Sequence, residues 1–302
     1  MTERPATGMR IVALLAVYNE ARFIAPCLEH LFRQGLQAYL IDNCSTDETV
    51  ARAEPSLGRG LLGIETLPRS GTSDLGARLR RKEQLATQLD ADWFVHMDAD
   101  EIRVPPSSYR TMGEAFEAAD AAGFNAVNVF EFTFVPTQES PDHDHPRFFE
   151  TMRSYYPFAP AFPHRLNAWK RQPDRVDLAS SGGHKVRFPG IRMFPESFKM
   201  RHYQFLSVEH AVRKYVGMRY EPSAVASGFH GWRARITPEA VKLPSEAELR
   251  TYTSDEALDA SNPRTRHFLE EQVLALVSGG TCIGGSAEPR GDSCEAGARP
   301  GS

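Results

Sequence analysis

Trp93-Phe94-Val95-His96-Met97-Asp98-Ala99-Asp100-Glu101 is an apolar run that stops abruptly at three carboxylates. Trp93 to Met97 has the length and composition of a buried strand, and a strand that ends in Asp-Ala-Asp delivers its acids to the rim of a sheet. Rims are where α/β sheets bind ligands. Two acids spaced i, i+2 can turn toward a common point, and crowded carboxylates repel unless a cation or protons neutralise them. A hard divalent cation meets that need. The competing explanation is a solvated turn, in which Asp is common.

Upstream, the same pattern of a strand followed by a polar rim occurs twice more. Ile11 to Val17 is continuously apolar, as a strand covered on both faces should be, and Tyr18-Asn19-Glu20 ends it. Phe23, Ile24, Cys27, Leu28, Leu31 and Phe32 then recur at helical spacing, with Gly35 placed as a C-terminal cap. Ala38 to Ile41 predicts a second strand ending at Asp42, and Ser45-Thr46-Asp47-Glu48 reads as a capping box. A strand from Leu61 to Leu67 and a helix from Leu75 to Leu89 complete the series. This βαβαβαβ alternation predicts a doubly wound, mainly parallel α/β sheet with helices on both faces. Tyr18, Asp42 and Asp98 then share one edge.

Downstream, Pro105-Pro106 breaks the chain and a helix is expected from Ser108 to Ala121, closed by Gly123. A long strand follows over 124–135, with Glu131 a single acid among apolar neighbours. Pro136 to Pro146, containing Asp142-His143-Asp144-His145, reads as a mobile loop. Further strands are expected at 148–156, 166–170, 176–179, 185–188 and 198–205. Ser207 caps a helix carrying Val208, Val212, Tyr215, Val216 and Arg219, and short helices follow at 238–241, 246–252 and 265–277. The boundaries are an N-terminal tail at 1–9, a ligand-binding half at 10–104, a β-rich half with C-terminal helices at 105–277, and a disordered Gly/Ser/Pro-rich tail at 278–302.

A net charge of −4 argues against a general nucleic-acid binder. No GxGxxG and no Walker lysine loop follow the first strand, which disfavours dinucleotide oxidoreductases and P-loop enzymes. Cys27, Cys44, Cys282 and Cys294 have no metal-ligand spacing. No apolar run has the length of a signal-peptide core or a membrane span, so the expected setting is cytoplasmic, with substrates at a membrane surface still compatible.

Val17-Tyr18-Asn19-Glu20, Ile41-Asp42-Asn43-Cys44-Ser45-Thr46-Asp47-Glu48-Thr49 and Met97-Asp98-Ala99-Asp100-Glu101 together resemble, in order and spacing, the three signatures of family 2 glycosyltransferases with the GT-A fold. The resemblance covers Arg10 to Glu101 and fades to Gly183-His184, His202-Tyr203 and the Ser207 helix. It implies a nucleoside diphosphate sugar donor bordered by Val17, Tyr18, Asn19 and Glu20, with Asp42 on the base. Asp98, Ala99 and Asp100 would serve ribose, diphosphate and a Mn²⁺ or Mg²⁺ ion. Such an ion offsets the charge that builds on the leaving diphosphate. His202 is the implied distal metal ligand, with His184 its rival, and imidazole suits Mn²⁺ better than Mg²⁺.

In the basic segment Arg78-Leu79-Arg80-Arg81-Lys82, Arg81 or Lys82 falls where the family has a basic residue before its metal motif; the other side chains read as a solvated face. The implied reaction inverts the anomeric centre and needs a base for the acceptor hydroxyl. The Glu-Asp pair that many members carry does not occur between Val135 and Tyr220, leaving Asp177, Glu131 and His184 as candidates. The implied acceptor is a carbohydrate, lipid-linked or small molecule. The alternatives are a sugar nucleotidyltransferase, which would need a Gly-rich basic loop after the first strand, and a noncatalytic sugar-nucleotide-binding protein.

Overall fold

The computed structural model describes residues 8–69, 71–222 and 231–279. β1 (Ile11–Val17) is buried along almost its whole length and pairs in parallel with β2 (Gln37–Asp42) and β4 (Trp93–Met97). β2 pairs in parallel with β3 (Leu61–Thr66). Successive β1 side chains point to opposite faces of the sheet. Ile11, Ala13, Leu15 and Val17 pack with α1 (Ile24–Arg33) and α4 (Met112–Ala121), whereas Val12 and Leu14 pack with α3 (Leu75–Gln88). The first half is therefore doubly wound, as the continuous apolar run required.

The sheet continues into the second half with largely antiparallel pairing, in the order β10-β7-β6-β8-β4-β1-β2-β3. Here β6 is Ala126–Phe134, β7 Ser154–Phe158, β8 Arg165–Lys170 and β10 Arg250–Thr251. β5 (Glu101–Val104) pairs with β9 (Phe198–Tyr203), and β9 runs parallel to β6. That register sets His202 opposite both Glu101 and Thr133, next to the acids that end β4. α6 (Val208–Tyr215) and α7 (Phe268–Gly279) pack through Tyr215 and Val273 into a cluster that includes Val135 of the loop after β6 and Phe205.

Several expected elements differ. Ser45-Glu48 is not a capping box: α2 (Thr49–Ala53) starts after Glu48 without a side-chain cap, because Ser45 Oγ accepts from the Asn19 amide and Glu48 pairs with Arg52. The helix expected from Ser108 begins at Met112, where Thr111 accepts from the Glu114 amide. The strand expected over 148–156 splits into α5 (Phe148–Thr151) and β7. Those at 176–179 and 185–188 are only isolated bridges, Asp177 to Arg187 and Leu166 to Lys185. The Ser207 helix stops at Tyr215, short of Val216 and Arg219. The helices expected at 238–241 and 246–252 are single 3₁₀ turns, the second followed by β10. β5 was not anticipated, being a four-residue strand between the acids and a Pro-Pro break. The tails at 1–7 and 280–302 lie outside the described residues. No helix among the described residues is long and apolar enough to cross a membrane.

Candidate functional site

The loops after β1 and β2 are knitted together at the rim. Asn19 has φ +56°, which turns its amide toward Ser45 Oγ at 3.0 Å, and its Oδ1 accepts from the Thr46 amide at 2.8 Å. Val17 is buried and its carbonyl accepts from Asn43. Asp42 is buried, and its carboxylate accepts from the Ser45 amide at 3.1 and 3.2 Å. The Arg69 guanidinium lies 3.8 Å from the centroid of the Tyr18 ring. These contacts place Tyr18, Asn19 and Asp42 around one rim.

The acids after β4 have opposite environments. Asp98 is exposed, Ala99 is buried, and Asp100 turns inward. Asp100 Oδ2 accepts from Lys214 Nζ at 2.8 Å and stands 3.7 Å from His202 Nε2, while its Oδ1 is buried without a partner. Burial alone would raise this carboxyl, but Lys214 and His202 outweigh it and hold Asp100 well below the usual range. Lys214 Nζ is also 3.3 Å from Glu20 Oε1. Burial, reinforced by the charges of Asp100 and Asp98, raises Glu20 to about 7 against the pull of Lys214.

Behind Asp100 lies a buried charged network. Glu131 Oε1 accepts from His202 Nδ1 at 2.6 Å, and Oε2 accepts from Arg165 Nε at 2.9 Å and His164 Nε2 at 3.2 Å. Burial opposes ionisation of Glu131, yet Arg165 and His202 hold it well below the carboxylate range. Burial likewise disfavours the His202 imidazolium, but Glu131 and Asp100 push its pKa up to about 10. The bond to Glu131 orients the ring so that Nε2 faces Asp100; in the imidazolium both nitrogens carry protons, so Nε2 could serve a metal only after releasing its own. Among the described residues no group of three or more His, Cys, Asp or Glu side chains is arranged to hold a metal by itself. The available donors are the unpartnered Asp100 oxygen, His202 Nε2 and exposed Asp98, and a protonated amine already rests among them as a stand-in cation. That donor set fits an ion whose remaining ligands are diphosphate oxygens and waters.

The basic segment divides in three. Arg81 faces outward and forks onto Glu65 at 2.6 and 2.7 Å. Lys82 turns inside, with Nζ 2.7 Å from His96 Nδ1 and donating to the Met97 carbonyl at 3.2 Å; burial lowers it to about 8. Arg78 donates to Ser73 Oγ while its Nε is buried without a partner, and Asp98 is the strongest opposing charge it feels.

Of the residues considered as bases, Glu131 has both oxygens occupied. Asp177 sits on an exposed turn away from this network, with Oδ1 accepting from the Ser180 amide at 2.9 Å and Oδ2 from its hydroxyl. His184 is half-buried, 5.2 Å ring to ring from His164, and burial with the nearby Arg165 charge lowers it to about 3. The loop over 136–146 is tied down: His143 is buried against Thr151, and Asp144 accepts from Arg22 at 2.8 Å and from Arg213. Lys214, His164, Arg165 and Arg69 escaped the sequence reading, because each is brought in by tertiary placement and none belongs to a motif; Arg78, read within a solvated face, instead turns to Ser73 with its Nε shielded from solvent.

The family model described as Glycosyl transferase family 2 matches residues 13–175, more than half of the chain. The chain belongs to glycosyl transferase family 2. The matched span of this family 2 chain runs from β1 through β8 and contains all three rim loops. A search of curated proteins finds no match. Among solved structures, S. aureus TarS is similar at 10% identity, covering 71% of this chain and 41% of that one, with a TM-score of 0.37. The S. aureus TarS 1-349 complex with UDP-GlcNAc is similar at 12% identity, covering 65% of this chain and 59% of that one, also with a TM-score of 0.37. Glucosyl-3-phosphoglycerate synthase from Mycobacterium tuberculosis, in complex with Mn²⁺, UDP and glucosyl-3-phosphoglycerate, is similar at 17% identity, covering 43% and 50%, with a TM-score of 0.29. The chain thus spans about two fifths of the full TarS length.

Proposed function

We propose that this chain is an inverting glycosyltransferase that moves a sugar from a nucleoside diphosphate sugar to a hydroxyl-bearing carbohydrate, lipid-linked or small-molecule acceptor, assisted by Mn²⁺ or Mg²⁺. The observation that carries the reading is the convergence, inside the family 2 match, of the Tyr18–Glu20, Asp42 and Asp98–Asp100 loops on one sheet rim. Asp42 accepts from the base, Tyr18 and Asn19 border the nucleoside, and Asp98 meets the ribose. Asp100 and His202 would hold the ion, with Asp98 beside them; when bound, it supplies positive charge to the leaving diphosphate. Arg78, whose Nε lacks a partner, is placed to donate to phosphate oxygens.

Displacement at the anomeric carbon requires the acceptor oxygen to lose its proton as the bond forms. Glu131 is committed to His202, Arg165 and His164, and Asp177 to Ser180, which leaves His184 as the base of choice among the three; its imidazole is neutral, and at about 3 in the unliganded protein it must gain basicity from the bound substrate to take the proton. The same commitments favour a second reading, a sugar-nucleotide-binding protein without turnover.

A thermal-shift screen of nucleoside diphosphates with and without Mn²⁺ tests the donor site, since a ligand that binds only the folded state raises its stability. The expected result is a metal-dependent shift with one nucleotide that Asp42→Ala abolishes. No shift with any nucleotide contradicts the reading.

A further inference from the structure

Lys214 stands on the last turn of α6 with its ammonium inside the acid cluster. Its Nζ is 2.8 Å from Asp100 Oδ2, 3.3 Å from Glu20 Oε1 and 5.0 Å from the centroid of the Phe23 ring. His202 Nε2 approaches the same Asp100 oxygen to 3.7 Å. The ammonium thus lies between two carboxyl groups where Asp100 and His202 converge. A compact, strongly hydrated charge on a flexible four-carbon stem is the side chain that most resembles a free cation.

We propose that Lys214 is a tethered cation that holds the metal position of Asp100 in the unliganded protein, must withdraw before a divalent ion can bind, and then pairs with the diphosphate of the donor. The proposal rests on the metal-dependent transferase reading above.

Three observations separate this role from that of a bridge anchoring α6. The helix already has an anchor, because Asp144 takes both Arg22 of the β1 loop and Arg213 of α6 outside the acid cluster. Its N-terminus is fixed independently, with Ser207 Oγ accepting from the His210 amide at 3.0 Å. Lys214 also leaves Asp100 half satisfied: Oδ1 is buried with no partner, the state of a carboxylate shaped for a larger coordination demand than one ammonium makes. Beyond α6 the chain turns at Gly217, φ +79°, where a Cβ would meet nothing within 4 Å.

The energetic consequence is coupling. A divalent ion arriving alone must break a charge-assisted hydrogen bond and leave the ammonium with Glu20 as its remaining carboxylate contact. Arriving with a diphosphate, it brings new ligands for itself and new acceptors for the lysine. Metal and donor therefore raise each other's affinity, and they do so reciprocally.

The test is Mn²⁺ binding without nucleotide, followed by electron paramagnetic resonance of the free ion, in the full chain and in Lys214→Met. The variant is expected to bind Mn²⁺ about ten- to a hundredfold more tightly, the range one charge-assisted hydrogen bond is worth. With Mn²⁺ present, its affinity for the nucleoside diphosphate is expected to fall. A merely structural bridge gives equal or weaker Mn²⁺ binding in the variant, and that result overturns the proposal. A second measurement uses the unmodified chain: acetylation of Lys214 by an amine-reactive ester, followed by peptide mass spectrometry. Millimolar Mn²⁺ alone should speed labelling at Lys214, and unchanged labelling overturns the proposal even where the variant fails to fold. If the unmodified chain binds Mn²⁺ with nucleotide while Lys214→Met gains nothing, the lysine role falls and the transferase reading stands. If it binds neither, both fall.

Discussion

Replacing Glu131 with Gln keeps the shape of the side chain and removes the one negative charge at the centre of the buried network. Arg165 Nε at 2.9 Å, His202 Nδ1 at 2.6 Å and His164 Nε2 at 3.2 Å all lose a carboxylate partner. Removing one member of a buried ion pair costs about 3–5 kcal/mol, because the surviving charge stays buried without compensation. With an unfolding entropy near 2.1 cal/mol/K per residue, 302 residues give about 0.6 kcal/mol/K, so Tm should fall by about 5–8 °C. The pH dependence has a fixed sign. The Glu131 carboxyl is held well below 4.5 in the folded protein, so the stability it contributes is fully present above about 4.5 and is lost as pH falls through the folded value. Thermal unfolding by circular dichroism should show the full gap between wild type and Glu131→Gln at neutral pH, narrowing under acid conditions. An unchanged Tm at neutral pH would refute the idea that this network is a coupled charged unit.

Three further outcomes follow from individual contacts. Lys82 titrates near 8 in the fold against 10.5 for an unperturbed lysine, so the unfolded chain binds the extra proton between those values and stability rises with pH across that window; the rise, up to about 3 kcal/mol in chemical denaturation, should vanish in Lys82→Met. Gly183 has φ +86°, and a Cβ there would stand 2.6 Å from His96 Nε2, so Gly183→Ala should cost about 1–3 kcal/mol by denaturant titration and displace the loop that carries His184. His184→Ala should reduce kcat about 10²–10⁴-fold while leaving donor affinity by calorimetry within about twofold, the pattern of a lost general base; equal loss of binding would point to a donor contact.

The first half of the fold was legible because its signals are local. Continuous apolar strands such as Ile11–Val17, helices with a clear apolar stripe, and polar rims at fixed strand ends need no distant partner to be recognised. The second half was less so. Val176 and Val186 are buried, yet the segments that carry them make only isolated bridges, and periodicity cannot tell such packing from a strand. The site shows the same division. Asp42, Asp98 and Asp100 announce themselves by position after strands, whereas Lys214 reaches Asp100 across a separation of 114 residues through the docking of α6. Lys82 illustrates the limit of motif spacing: its position in the basic segment was apparent, but its turn inward to His96 depends on the helix phase and on the depth of β4. Glu131 was visible as one acid in an apolar strand, and only the β6–β9 register shows it bonded to His202.

The central claim, that the Asp98–Asp100 rim supports sugar transfer from a nucleotide donor, is tested most directly by nucleoside diphosphate release. Purified protein, Mn²⁺ and a panel of UDP-, GDP- and TDP-sugars are incubated, and release is measured for the wild type, for Asp100→Ala and for Asp177→Ala. The account predicts metal-dependent release from one donor class, lost by about a hundredfold or more in Asp100→Ala and retained in Asp177→Ala. Release that is absent for every donor, or equal in the wild type and Asp100→Ala, would contradict it.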